Sequence, residues 1–147
     1  MSGRVEAIWT KRSKGGVMDA AQSVDALEGK GIEGDANFGA TRQVSVIEKE
    51  VFDRIKDSLP DSDPAMRRAN IMVSGIRLEN ARGHVLTVGR VKIRLRGETR
   101  PCEIMDEQCP GLRGKLDLKW AGGAHGAVIQ SGSISVGDAA ELEAPTD

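Results

Sequence analysis

The sequence predicts a mainly β fold, a barrel of short, mostly antiparallel strands with a few short helices over its ends. Three observations carry that expectation. Apolar residues recur with period two in short runs, most plainly in Val91-Lys92-Ile93-Arg94-Leu95-Arg96. Eighteen glycines are spread along the 147 residues and break the chain into turns. Only one segment, Glu48 to Leu59, carries a sustained helical stripe. A chain of 147 residues suits one domain, so residues 1–147 are read as a single unit.

Arg4 to Trp9 is the first predicted strand, with Val5, Ala7 and Trp9 on one side. The basic stretch Thr10 to Gly16, with Lys11, Arg12 and Lys14, reads as a solvated surface loop. Ser23 to Leu27 is a second short strand. Gly31 to Gly39 holds three glycines in nine residues, which implies tight turns, and Asp35 there is suited to accept from local backbone amides. No strand-then-helix unit with the right glycine spacing surrounds it, which excludes a dinucleotide fingerprint.

Arg42 to Ile47 is a strand with Val44 and Val46 on one face and Gln43, Ser45 and Ile47 on the other. It leads into the predicted helix, where Val51, Phe52, Ile55 and Leu59 share a face. Glu48 and Glu50 suit its positive end, and Pro60 stops it. Met66 to Gly75 joins Arg67, Arg68 and Asn70 to an apolar strand. Two adjacent guanidinium forks suit a phosphate or carboxylate, with surface ion pairing as the equal alternative. Ile76 to Ala81 is predicted as one helical turn. Val85 to Val88 and Val91 to Arg96 form a hairpin over Gly89-Arg90. Gly111 to Leu118 is a short helix, and Trp120 to Gly126 a flexible loop whose lone His125 reads as a surface residue. Ala127 to Gln130, Ser133 to Val136 and Ala139 to Leu142 close the chain as short strands.

Composition excludes several classes. A net charge of −1 gives no overall attraction to phosphate backbones, and 3% aromatics without any Tyr leaves few stacking platforms, so nucleic acid is not an expected partner. The N-terminus lacks the apolar core of a signal peptide, and no run approaches the roughly 18 apolar residues of a membrane span. Two cysteines make a poor disulfide framework. A cytoplasmic protein without membrane partners is expected.

The chemistry-bearing stretch is Gly97 to Gly111. Pro101 keeps Arg100 extended as the chain leaves the strand, and Cys102 follows at the strand exit. Arg100 favours the thiolate, the form that acts as nucleophile and metal ligand. Free cysteines are also among the most buried residue types, and this context weighs chemistry and packing evenly. Cys109 lies too far along for a usual zinc pair, and a four-ligand site would need both cysteines with His84 and His125, so zinc is disfavoured.

Five segments in order resemble the MOSC domain, the module named for the C-terminal part of molybdenum-cofactor sulfurases. They are Gly31-Ile32-Glu33-Gly34-Asp35, Arg42-Gln43-Val44-Ser45-Val46-Ile47, Arg68-Ala69-Asn70-Ile71 through Gly75, Arg100-Pro101-Cys102 with Pro110-Gly111, and Val136-Gly137-Asp138. The resemblance spans about Val5 to Leu142 and implies the barrel together with molybdenum-cofactor or sulfur chemistry. It implies that Cys102 carries sulfur as a persulfide or ligates molybdenum. Arg42, Arg67 and Arg68 would then hold the phosphate of a molybdopterin, Arg100 would lower the thiol pKa, and Asp35, Gln43 and Asn70 would orient the ligand. Cys109 would resolve a persulfide as a disulfide, or remain an idle thiol.

Asn37 stands where the family often carries a histidine, and Asn does not shuttle protons near neutral pH. The pyridoxal-phosphate domain of the sulfurases has no counterpart in these residues, so pyridoxal phosphate is not implied. The expected partners are a small-molecule cofactor or a protein that donates or accepts sulfur. Alternatives are a molybdoenzyme component that reduces N-hydroxylated compounds with a separate redox partner, and a cofactor-free binding barrel.

Overall fold

The computed structural model describes residues 1–14, 16–99, 105, 107, 109–116 and 120–145. Its elements run β1 (Ser2–Lys11), β2 (Met18–Ala21), β3 (Ser23–Leu27), β4 (Gly31–Ile32), β5 (Val44–Glu48) and α1 (Lys49–Ser58). After a 3-10 turn (Pro64–Arg67) come β6 (Ile71–Ser74), β7 (Val85–Val88), β8 (Val91–Glu98), α2 (Leu112–Leu116), β9 (Ala124–Gln130), β10 (Gly132–Ser135) and β11 (Ala139–Glu143).

Seven strands close into a barrel in the order β1-β11-β7-β8-β9-β5-β6 and back to β1, with β2 added along the far half of β1. The β5–β6 pair is parallel, and the crossover it requires is α1 with the 3-10 turn. The other ladders between described strands are antiparallel, as predicted. A second sheet, β10-β3-β4, sends Val24, Ala26, Ile32 and Ile134 into the same interior as the barrel strands. Along β8 the residues alternate buried and exposed, so Val91, Ile93 and Leu95 fill the barrel while Lys92, Arg94 and Arg96 face out.

Outside the barrel wall a second apolar cluster joins Trp9, Ile47, Ala69 and Met72 to Phe52 and Ile55 of α1 and Leu112 and Leu116 of α2. The predicted stripe of α1 is therefore its packing face, with Val51 and Leu59 at its margin. Among the described residues no helix is long and apolar enough to cross a membrane.

Three local expectations are corrected. The β1–β6 register shifts between Val5 and Ala7, so Glu6 is an extra residue. That bulge turns Val5 and Ile8 into the barrel while Ala7 and Trp9 face the helices, which breaks the single period-two face. Ile76 to Ala81 is irregular rather than helical, because Ile76, Leu78 and Ala81 fill the barrel interior. Trp120 to Gly126 is a loop only as far as Gly123. Trp120 is buried and β9 begins at Ala124, which puts His125 on a strand.

Candidate functional site

A row of polar side chains crosses the wall where β5 and β6 begin. His125 on β9 lies opposite Ser45 on β5 in the ladder. The backbone amide of Ser45 donates to Asn70 Oδ1 at 3.1 Å, and its hydroxyl donates to the same oxygen at 3.4 Å. Asn70 Nδ2 donates to the Trp9 carbonyl at 3.2 Å and to Asp35 Oδ1 at 3.1 Å. These bonds use the side chain's donors and acceptor, and Asn70 is fully buried. Asp35 also accepts the amides of Lys11 and Asn37, each at 3.0 Å. Its carboxylate has no exposed surface and lies 3.9 Å from the Lys11 ammonium. The glycine-rich turn therefore supplies the carboxylate that ties β1 to the entrance of β6.

Cations gather at the Asp35 end of this row. Burial pushes the Lys11 ammonium below its ordinary pKa; Asp35 opposes that, while Arg68, Arg67 and Lys14 add to it. Arg67 is buried, and its Nε donates to the Gly122 carbonyl at 2.8 Å. Arg68, in left-handed backbone at φ 66°, donates to the Gly16 carbonyl and pins the β1–β2 loop. A side chain at Gly122 would strike the Thr99 carbonyl, and one at Gly123 the Val46 carbonyl, so both glycines let the chain cross the sheet closely. Thr99 donates its amide to the Gly123 carbonyl at 2.9 Å, and its buried Oγ1 has no partner among the described residues. The end of β8 thus meets the Arg67 guanidinium across Gly122. What this arrangement offers chemically is a desolvated cationic wall, suited to an anion.

Asp35 and Asn70 are brought together, with Arg67 and Arg68 around Lys11 beside them. Gln43 sits apart in the barrel wall, where its Oε1 accepts the Val128 amide at 3.0 Å. Arg42 is exposed and acts on His125, which burial and then Arg42, Arg82 and Arg96 push below the usual histidine value. Arg100 and Cys102 lie outside the described residues. Cys109 is buried in the outer apolar cluster. Sequence reading missed Lys11, Ser45, Thr99 and His125. Lys11 carried a signal, as the last alternating residue of a strand that runs past Trp9. A hollow of about 730 Å³ opens at the other end of β5 and β6, lined by Glu48, Arg54, Arg77 and Trp120, and it contains none of the predicted site residues. Among the described residues no three His, Cys, Asp or Glu side chains gather as a metal site.

The family model described as MOSC domain matches residues 33–141. Solved structures share the fold. The YuaD protein from Bacillus subtilis aligns with a TM-score of 0.85 at 22% identity, over 99% of this chain and 98% of that one. YiiM from Escherichia coli aligns with a TM-score of 0.72 at 18% identity, over 100% of this chain and 72% of that one. YiiM from Geobacillus stearothermophilus gives a TM-score of 0.72 at 16% identity, over 96% and 74%. No curated protein matches the chain significantly.

Proposed function

The chain belongs to the MOSC domain family, and on that premise we propose that it binds a molybdenum cofactor or carries sulfur through Cys102. The family is associated with molybdenum-cofactor chemistry. One observation carries the reading for this chain: the buried Arg67 guanidinium and the backbone of Thr99 meet at Gly122, with Lys11 and Arg68 adding charge and the Thr99 Oγ1 buried without a partner among the described residues. Cys102 follows Thr99 by three residues, a tether of at most about 11 Å. A thiolate on that tether works against a cationic wall, and positive neighbours favour the thiolate form.

The residues present fit the group. Lys11, Arg67 and Arg68 would hold the phosphate of a pterin, since guanidinium forks match phosphate oxygens two at a time. The orphaned Thr99 hydroxyl would complete its hydrogen bonding on the ligand. Cys102 is the soft donor such a metal prefers. The cofactor would supply two-electron oxidation and reduction at molybdenum. Asp35 and Asn70 act through the protein, as positioning residues that keep Lys11 and the entrance of β6 fixed. In the sulfur-carrying form of the reading, the Cys102 thiolate attacks the outer sulfur of a donor protein's persulfide. A new S–S bond forms at Cys102 and the donor leaves as its thiolate, so no external oxidant is consumed.

The test compares freshly purified wild type with Cys102→Ser for molybdenum content, thiol reactivity at neutral pH and uptake of persulfide sulfur. Wild type is expected to hold molybdenum or to take up sulfur, and the variant to lose that property while its melting temperature stays close to that of wild type. Equal retention in both proteins would remove Cys102 from the reading. Absence of both properties in wild type would reject it altogether.

A further inference from the structure

The hollow of about 730 Å³ at the far ends of β5 and β6 holds none of the residues of the polar row. One face of α1 lines it with Val51, Arg54 and Ile55, which share a side at helical spacing. The chain that leaves β6 adds Ile76 and Arg77, and Glu48 stands where β5 passes into α1. Trp120 and Lys115 complete the enclosure from the other side of the sequence. The volume falls in the range of small-molecule sites, about 300–1,000 Å³.

Two chemistries meet in this lining. Val51, Ile55, Ile76 and Trp120 are apolar, and the last three are buried. Trp120 is held in left-handed backbone at φ 60°, which a bulky side chain rarely adopts, and its amide donates to Glu98 Oε2 at 2.7 Å. Such backbone persists only where its surroundings fix it, so the indole is set against the hollow by the fold. Among the polar groups, the carboxyls are already bonded to backbone. Glu50 Oε2 accepts the Gly75 amide at 2.8 Å, and Glu48 Oε2 accepts the Leu78 amide at 3.3 Å. The cations are not. The side chains of Arg54, Arg77 and Lys115 take part in none of the hydrogen bonds or ion pairs among the described residues, so both guanidinium forks stay open.

An apolar wall beside two open forks fits an amphipathic anion, since a planar carboxylate matches a guanidinium two bonds at a time. The acids in the hollow set its charge. Glu50 and Glu79 share the space, and they would repel a phosphoryl dianion twice as strongly as a monoanion. The exposed indole face favours an aromatic body, which stacks on it with an offset.

We propose that this hollow binds a small aromatic monocarboxylate, with its carboxylate on Arg54 and Arg77 and its ring against Trp120, Ile55 and Ile76. The site shares no described lining residue with the Lys11, Arg67, Arg68 and Thr99 group, and it requires neither Cys102 nor metal.

The test titrates the full chain with 3-phenylpropanoate and follows the two indole N–H resonances by NMR, with Trp9→Phe identifying the signal of Trp120. The expected result is a saturable shift of the Trp120 signal, with affinity weakened about tenfold or more in Arg54→Gln and in Arg77→Gln, since each removes a charge-assisted contact. Both arginines are exposed, and melting curves check that every variant folds. The amine 2-phenylethylamine, with the same ring and the opposite charge, is expected to give no saturable shift. Cys102→Ser is expected to keep the wild-type affinity, which separates this result from the thiol reading. No saturable shift at millimolar 3-phenylpropanoate, or wild-type affinity in both glutamine variants, would overturn the site. Saturable binding of the amine would overturn it by making Glu48 the counter-ion of a cation, and loss of binding in Cys102→Ser by assigning the carboxylate to the thiol site.

Discussion

Glu48 ends β5 with a buried carboxylate that accepts the Leu78 amide at 3.3 Å. Burial pushes its pKa above the usual carboxylate range, Glu50 adds to that, and the Leu78 amide, Arg54 and Arg77 oppose it. The folded protein therefore binds this proton more readily than the unfolded chain does. Its stabilising contribution is complete below about pH 4.3, the unfolded value, and is lost as pH rises through the raised folded value. Glu48→Gln keeps an acceptor for Leu78 and removes the buried charge. The variant is expected to melt several degrees above wild type at pH 7, with the gap closing near pH 4, as read by calorimetry. A variant that melts lower at both pH values would show that the carboxylate is needed for packing or bonding. His125 has the opposite sign: its lowered pKa makes protonation costly, so its contribution is lost as pH falls below about 6.5.

At the scale of elements, the bulge at Glu6 decides which way β1 faces. Deleting Glu6 removes only the extra residue and leaves Val5 and Ile8 facing the interior, Ala7 and Trp9 facing the helices, and the β6 partners unchanged. One alanine inserted between Ala7 and Ile8 instead turns Ile8 outward and Trp9 inward. Reversing that half of the strand costs a large share of the ~5–15 kcal/mol of stability a domain holds. The insertion variant is expected to lose its cooperative thermal transition by circular dichroism, whereas the Glu6 deletion keeps it. A deletion variant that loses the transition would mean that the bulge itself is needed for closure. This is also where the sequence stopped being legible. The alternation in β8 and the stripe of α1 were readable because each pattern is uninterrupted over its element. The bulge in β1 and the second bulge at Arg96 leave no local mark, because which residue is extra depends on the partner strand. For the same reason Asp35 and Asn70 were visible as polar residues in turn and strand contexts. Their contact spans 35 residues and needs the fold. His125 was misread because Gly122, Gly123 and Gly126 look like a loop, although the last two let strands approach where a Cβ would collide with Val46 and Arg94.

For the whole molecule, the predicted barrel is a ring of seven strands that the first and last strands close together. Its interior is packed by side chains such as Ile71, Leu78, Leu86 and Leu95, so the polar row and the cations beside it lie on the wall and not in a lumen. The outer helices cover the β1–β5–β6 side through Phe52, Ile55, Leu112 and Leu116. The barrel therefore behaves as a rigid scaffold, and chemistry belongs to the segments that leave its strands. Closure has a topological consequence. Ser2 pairs with Glu141, and the Leu142 amide donates to the Met1 carbonyl at 3.0 Å, so the ring is sealed at a seam between β1 and β11. Stitching that seam with a short Gly/Ser linker and reopening the chain at the exposed Gly89-Arg90 turn gives a circular permutant with every strand neighbour retained. Such a permutant is expected to fold with a cooperative thermal transition like the parent's, which would show that the order of strands around the ring, and not the point at which the polypeptide starts, defines this molecule.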